Sequence, residues 1–187
     1  MVVVAGPAGS GKSVHFPVDA LEIDGFNVDE RAAAANNGSF RSIPSAIRRR
    51  TQKQCEAFVT NHIAERRSFA VETTLRTTVA IEQARRAQAA GFETEMIFVT
   101  AGSADECVRR VRLRGLGGGH AAPESELRDI YERSMSNLLL ALDVFHRIEL
   151  YDNAVRSAVP RWIGSVSGGR VTVTVEPLPD WVPERLR

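Results

Sequence analysis

Residues 1–13 constrain the fold of this chain more than any other segment. Val2-Val3-Val4-Ala5 is a short β-branched run, typical of a buried strand, and it leads directly into GPAGSGKS at 6–13. That sequence matches G-x-x-x-x-G-K-[ST], the P-loop or Walker A motif, in which a strand precedes a phosphate-binding loop and a helix follows it. Pro17 predicts that this helix is short or kinked, because proline costs an intrahelical hydrogen bond.

The spacing of the motif suits phosphate chemistry. Its glycines let the backbone curl so that successive N–H groups face phosphate oxygens, and the helix that follows adds its dipole. Lys12 can reach the β- and γ-phosphates, and the Ser13 hydroxyl can ligate Mg²⁺. We therefore predict ATP and Mg²⁺ as cofactors. The predicted cofactor-binding residues are Gly6, Pro7, Ala8, Gly9, Ser10, Gly11, Lys12 and Ser13, with Ser13 as the metal ligand.

The rest of the chain alternates between strand and helix patterns. Further apolar runs at 68–71, 94–99 and 147–151 predict strands, and helical patterns fill 43–66, 77–90, 104–113 and 127–145. This alternation is typical of parallel β-α-β units. Runs at 162–166 and 170–176 flank a Ser-Gly-Gly turn, which predicts a C-terminal β-hairpin. We expect one three-layer α/β domain of the P-loop NTPase class over 1–187, with a mostly parallel central sheet.

Composition narrows the function classes. The chain has 187 residues, 25% of them charged, and a formal net charge of +1, which gives no global attraction to nucleic acid or anionic membranes. Only 6% of residues are aromatic, which disfavours a nucleic-acid role. No apolar run approaches the roughly 20 residues that a membrane span needs. Cys55 and Cys107 lie far apart and are expected to be buried thiols, so we expect a cytoplasmic protein.

Polar residues at two predicted strand ends are candidates for the acceptor side of the site. Glu72, Thr73 and Thr74 follow a buried run, and ligands of doubly wound sheets bind beyond the carboxyl ends of strands. Glu72 is placed to orient Mg²⁺-bound water or a substrate hydroxyl. Asp29 has two interpretations from the residues alone: it accepts a proton from the attacking hydroxyl, or it caps the next helix.

An arginine-rich segment predicts a lid. The sequence RVRLRGLGGGH at 110–120 ends a helix in arginines and then glycines. Small kinases use such lids to exclude water and to bring arginines to the transferred phosphoryl group. We place this lid at about 114–124, with Gly117–Gly119 as its hinge and His120 within it. Arg109 and Arg112 are expected to face solvent.

Together these segments resemble the zeta-toxin-like P-loop kinases. The matching sequences are GPAGSGKS at 6–13, NVDE at 27–30, SFAVETTLR at 68–76, RVRLRGLGGGHAAPE at 110–124 and LYDNA at 150–154. The resemblance covers roughly four-fifths of the chain, from residue 6 to about 154.

The resemblance implies roles for four residues and two kinds of partner. It implies that Asp29 is the general base, that Glu72 belongs to the substrate and metal region, and that Arg114 and Arg128 contact the transferred phosphoryl group. It implies phosphorylation of a hydroxyl on a small molecule, such as the nucleotide-sugar UDP-N-acetylglucosamine, and an antitoxin-like protein partner.

Two other functions are compatible with the residues. One is a P-loop kinase for an antibiotic, a nucleoside or a sugar acid. The other is a non-catalytic or partner-regulated module that binds ATP without turnover. The Asp152-Asn153 pair is also open: it either caps a strand end or faces the nucleotide base.

Overall fold

The computed structural model of the chain describes residues 1–116, 122–155, 159–168, 170–173 and 175–186. The strands are β1 (Val2–Ala5), β2 (Asp24–Asn27), β3 (Phe69–Thr73), β4 (Glu95–Thr100), β5 (Arg147–Asp152), β6 (Arg161–Ser167) and β7 (Arg170–Val173). The α-helices are α1 (Lys12–His15), α2 (Val28–Ala34), α3 (Ser45–Ala64), α4 (Val79–Ala89), α5 (Ala104–Leu116) and α6 (Glu124–Ala141).

One seven-stranded sheet organises these elements, in the order β2-β3-β1-β4-β5-β6-β7. The first five strands of this order are parallel, whereas β6 is antiparallel to both β5 and β7. The predicted fold class is therefore confirmed, including the C-terminal hairpin. Because β1 lies between β3 and β4, the loop that leaves its carboxyl end opens at the centre of the sheet.

Side chains of a strand alternate between the two faces of a sheet, and an apolar cluster covers each face here. On β1, Val3 and Ala5 belong to the large core cluster that also holds buried residues of α3, α4 and α6. Val2 and Val4 instead contact a second cluster built from residues between α1 and β2, including Val18. The two clusters therefore cover opposite faces of the sheet.

Local sequence signals set several helix boundaries. The first helix, α1, has only four residues and ends before Pro17, as predicted. Ser103 Oγ accepts the Glu106 amide at the start of α5, an N-cap contact, and Gly91 follows α4 with a left-handed φ of 87°. Cys55 and Cys107 are buried free thiols. In the described part of the chain, no helix is long and apolar enough to cross a membrane.

Candidate nucleotide site

The loop between β1 and α1 has a backbone that favours glycine. Gly9 and Gly11 have φ values of 84° and 92°, in the left-handed region that side chains rarely adopt. A Cβ atom on Gly9 would lie 2.5 Å from the carbonyl oxygen of Cys107 on α5. The loop therefore packs directly on α5, and its tip at Ala8 contacts a small apolar cluster that includes Val111 and Leu127.

Backbone amides are the main phosphate donors that this loop offers. Within the described chain, the N–H groups of Gly11, Lys12 and Ser13 have no hydrogen-bond acceptor. Since α1 is a single turn, its macrodipole is small, and the amides themselves supply most of the positive potential. Ser10 Oγ is also buried without a partner among the described residues. Buried donors of this kind suit an anion.

Lys12, Ser13 and Glu72 converge beside the loop. Lys12 Nζ lies 3.8 Å from Glu72 Oε1, and Ser13 Oγ donates to the same oxygen at 2.8 Å. The side chains of Lys12 and Glu72 are only 8% and 6% exposed. Glu72 is therefore a buried partner of the lysine rather than a solvated acid at a strand end. The attraction between the two charges offsets part of the cost of their desolvation.

The same residues fit a magnesium ion. Mg²⁺ binds oxygen ligands, and it usually takes one or two protein carboxylates or hydroxyls together with phosphate and water. Ser13 Oγ supplies one such oxygen. Glu72 Oε2 is buried and has no hydrogen-bond partner among the described residues, so it is a second oxygen able to face a cation or its water. No group of three or more His, Cys, Asp or Glu side chains in the described chain forms a separate metal cage.

The pairing of β2 with β3 places the start of α2 beside Glu72. Asn27, the last residue of β2, pairs with Glu72 of β3. Its side-chain oxygen accepts the amides of Asp29 and Glu30 at 3.0 and 3.3 Å, so Asn27 caps α2. The alternative in which Asp29 is the cap is therefore wrong. Asp29 lies in the first turn of α2 and is exposed.

Several carboxylates lie near Glu72 and the start of α2. Partial desolvation raises the pKa of Glu30, and the negative charges of Glu72, Asp19 and Asp29 raise it further. Glu30 and Asp19 were not singled out from the sequence, where acids in a helix start or a loop carry no distinguishing signal. Their combined negative charge favours the protonated form of Glu30.

The loop after β3 is held in an unusual conformation. Leu75 is fully buried and has a left-handed φ of 57°. The Thr73 hydroxyl accepts the Leu75 amide at 3.0 Å, and Asn137 of α6 donates to the Leu75 carbonyl at 2.8 Å. These contacts fix the backbone next to Thr73 and Thr74, both of which are half-buried beside Glu72. Asn137 is a residue that the sequence pattern of α6 did not mark.

The two predicted phosphoryl-contacting arginines are placed differently from Lys12. Arg114 is exposed in the last turn of α5. Arg128 of α6 donates to Glu124 Oε1 at 2.9 and 2.8 Å and to Asp105 Oδ1 at 2.6 Å. Neither arginine contacts the phosphate loop in the described residues, so their catalytic role stays a prediction. The hinge at Gly117–Gly119, and His120 with it, lies outside the described residues.

The other arginines of α5 have clear partners. Arg109 pairs with Glu106 and Arg112 pairs with Glu124, and their side chains are 48% and 63% exposed. Arg110 is only 13% exposed; it also pairs with Glu106 and donates to the backbone carbonyls of 153 and 154. Hydrogen bonds from Arg109 and Arg110 hold the pKa of Glu106 at about 2.

The Asp152-Asn153 pair touches the loop rather than simply ending β5. Asn153 is buried, and its side-chain amide donates to the Ser10 carbonyl at 2.8 Å. Asp152 Oδ1 accepts the Ala154 amide at 2.8 Å. The site therefore contains Lys12, Ser13, Glu72, Asn27 and Asn153 in direct or adjoining contact, with Asp29 two residues after the cap.

Comparison with known proteins identifies relatives only by fold. No protein-family model matches the chain, and no curated protein matches it. A structure from the PezAT chromosomal toxin-antitoxin system of Streptococcus pneumoniae aligns with a TM-score of 0.61 and 19% identity, covering 82% of this chain and 68% of that chain. The AvrRxo1-ORF1:-ORF2 complex with ATP aligns with a TM-score of 0.68 and 14% identity, covering 92% of this chain and 59% of that chain.

A protein from Chloroflexus aurantiacus assigned as a kinase aligns with a TM-score of 0.55 and 18% identity, over 71% of this chain and 78% of that chain. At such identities the likeness shows the fold. The resemblance to zeta-toxin-like P-loop kinases is confirmed at that level: the chain shares the α/β fold of these structures.

Proposed function

We propose that the chain is an ATP- and Mg²⁺-dependent kinase that phosphorylates a hydroxyl group of a small molecule. The observation that carries this proposal is the convergence of Lys12 and Ser13 on the buried Glu72, at the carboxyl edge of the sheet and next to the start of α2. A phosphate loop, a magnesium-compatible pair of oxygens and an adjoining row of carboxylates are the parts that phosphoryl transfer needs.

The amides of the loop would hold the β- and γ-phosphates, and Lys12 would turn from Glu72 toward them as the negative charge of the nucleotide arrives. Bound Mg²⁺, held by Ser13 and through Glu72, would supply further positive charge to the phosphates. Once Lys12 turns away, the Glu72 carboxylate is no longer paired with the ammonium group and would be free to help hold Mg²⁺. Phosphoryl transfer relies mainly on such positioning and charge compensation.

Asp29 is the proposed general base. The acceptor oxygen attacks the γ-phosphorus, its bond to phosphorus forms as the bond to the β-phosphate oxygen breaks, and ADP leaves. The hydroxyl proton passes to the Asp29 carboxylate, which is exposed to an incoming acceptor. Arg114 and Arg128 are proposed to reach the equatorial oxygens once the lid at about 114–124 closes, which requires Arg128 to leave Glu124 and Asp105.

For the acceptor we propose a sugar hydroxyl on a nucleotide-sugar such as UDP-N-acetylglucosamine. Support comes from the sequence resemblance at 27–30 and 68–76, which surround the acceptor side of the site. An antitoxin-like protein partner is proposed on the same resemblance and on the toxin-antitoxin origin of one structural neighbour. The choice of acceptor is tested directly by the assay below.

The experiment is ADP production by the purified chain with Mg²⁺-ATP and a panel of nucleotide-sugars, free sugars, nucleosides and aminoglycosides. We expect turnover that depends on an acceptor and falls at least 100-fold in Lys12→Ala. Lys53→Ala is the matched control, because Lys53 is an exposed lysine on α3, outside the loop and the strand ends that form the site. Nucleotide binding without turnover on any acceptor would contradict the kinase and favour a non-catalytic, partner-regulated module.

A second variant separates chemistry from binding. Asp29→Asn should lower turnover by 100-fold or more while leaving the affinity for Mg²⁺-ATP within about twofold, since Asp29 acts on the acceptor proton. Asp143→Asn is the control, because Asp143 pairs with Arg185 at the surface. Equal losses of binding and turnover in Asp29→Asn would show a structural role for this residue.

A further inference from the structure

Asn153 connects the end of β5 to the phosphate loop. The residue is 3% exposed, and its Nδ2 donates to the Ser10 carbonyl at 2.8 Å, across 143 positions of sequence. Its backbone amide donates to the Thr100 carbonyl at the end of β4, at 2.7 Å. The backbone bond ties residue 153 to the central sheet, so its side chain contacts the loop from a rigid support.

The contact decides where one peptide group of the loop points. In a trans peptide the C=O of Ser10 and the N–H of Gly11 point in opposite directions. Because the Ser10 carbonyl is held by Asn153, the Gly11 N–H is directed away from Asn153, and it has no acceptor in the described chain. The fit is tight: a Cβ atom on Gly11 would lie 2.3 Å from Asn153 Nδ2.

Arg110 in turn holds Asn153. Its Nη2 donates to the carbonyl oxygens of Asn153 and Ala154 at 2.7 and 3.1 Å, while its Nε donates to Glu106 Oε1 at 2.6 Å. The guanidinium therefore links α5 to the residue that touches the loop. Three consecutive contacts, from Glu106 to Arg110 to Asn153 to Ser10, join α5 and the loop.

We propose that Asn153 is a positioning residue of the phosphate loop. Its side-chain amide holds the Ser10 carbonyl, which aims the Gly11 amide at bound phosphate before nucleotide arrives, and Arg110 holds Asn153 in place. The proposal rests on the nucleotide site proposed above and adds to it a device that organises the site in the nucleotide-free protein. Preorganised donors bind more tightly because less order must be imposed on binding.

The test compares Asn153→Ala and Asn153→Asp with the parent chain by calorimetric titration of ADP in the presence of Mg²⁺. We expect affinity to fall about 5- to 100-fold in Asn153→Ala, the range for loss of a buried hydrogen-bond partner. Asn153→Asp should lose at least as much, because its carboxylate oxygen would face the Ser10 carbonyl.

Gln88→Ala is the matched control. Gln88 also donates a side-chain amide to a backbone carbonyl, that of Val144, and to Thr94 Oγ1, at the opposite end of the parallel strands. The Gln88→Ala variant should lose about as much stability in urea unfolding as Asn153→Ala and keep its ADP affinity within about twofold. Unchanged ADP affinity in Asn153→Ala, or an equal loss in Gln88→Ala, would overturn the proposal.

Two further measurements keep the inference separable from the kinase assignment. Hydrogen exchange of the nucleotide-free protein should show faster exchange at the Ser10, Val14 and His15 amides, which donate to carbonyls of the loop, in Asn153→Ala and unchanged exchange in β1 and β4. Equal rates at these three amides would refute the positioning role even if the chain bound no nucleotide. Should the Asn153 variants not fold, Arg110→Lys retains a charge beside Glu106 but loses the paired carbonyl contacts. It is expected to weaken ADP binding a few-fold, and full affinity would refute the network.

Discussion

Replacement of Gly9 by alanine tests the packing of the phosphate loop against α5. Two costs add. The first is a φ of 84°, which costs an L-residue about 1–2 kcal/mol. The second is a collision: the new Cβ would lie 2.5 Å from the Cys107 carbonyl oxygen and 3.1 Å from Val111 Cγ2. Since ordinary contact distances begin near about 3.5 Å, the loop and α5 must separate by about 1 Å.

The collision cannot be relieved cheaply. The Cys107 oxygen is part of the helix backbone, and α5 is held by the apolar cluster that contains Val108, Val111 and Leu127. Overpacking of this kind costs about 1–3 kcal/mol. We therefore expect Gly9→Ala to lower the free energy of unfolding by about 2–5 kcal/mol, a large part of the roughly 5–15 kcal/mol that folded domains have.

Gly91→Ala is the control for the backbone cost alone. Gly91 has a similar φ of 87°, but a Cβ atom there meets nothing within 4 Å. The Gly91→Ala substitution should lower the free energy of unfolding by only about 1–2 kcal/mol. In urea unfolding, with a slope of about 2–3 kcal/mol per molar, the midpoint should fall by about 1–2 M in Gly9→Ala and by less than about 1 M in Gly91→Ala. Equal midpoints for the two variants would refute the close packing of the loop on α5.

Two further predictions concern α2 and α5. Asn27→Ala should lower the free energy of unfolding by about 1 kcal/mol, because the Asp29 and Glu30 amides lose their acceptor, whereas Asn27→Ser keeps a capping oxygen; urea midpoints check this, and equal losses would contradict the cap. The pKa of Glu106, held at about 2 by hydrogen bonds from Arg109 and Arg110, lies below its unfolded value. Its stabilisation of about 1 kcal/mol, after screening at the exposed Arg109, is therefore present above pH 5 and lost as pH falls from about 4.5 toward 2. The midpoint difference between the parent chain and Glu106→Gln should narrow between pH 5 and 3, and a constant difference would argue against this ion pair.

Local signals determined much of the fold from sequence. The P-loop pattern, the Pro17 boundary of α1, the Ser103 cap and the Gly91 stop each depend on residues a few positions apart, so a single sequence predicts them. The four predicted strand runs outside the hairpin all became strands. The strand β2 was not predicted: it has only four residues, one of them glycine, and among the described strands it lies at the edge of the sheet beside β3.

The sequence predicted only part of the site, because the contacts within it depend on how the strands pair. Lys12, Ser13 and Glu72 could be named from motifs, but the contact between Glu72 and the loop depends on the parallel register that sets Val4 beside Glu72. The register of β2 on β3 sets Asn27 beside Glu72, and the side chain of Asn27, not that of Asp29, caps α2.

Tertiary structure alone decided the residues that support the loop. Asn153 lies 143 positions from Ser10, and Arg110 reaches Asn153 across 43 positions. No periodicity or spacing marks such partners, because each is an ordinary polar residue until sheet order and helix packing place it. What the sequence by itself determined is a phosphate loop in an α/β sheet. The sheet order and the packing of α5 decided which buried side chains orient that loop, since side-chain contacts over such separations arise only once the chain has folded.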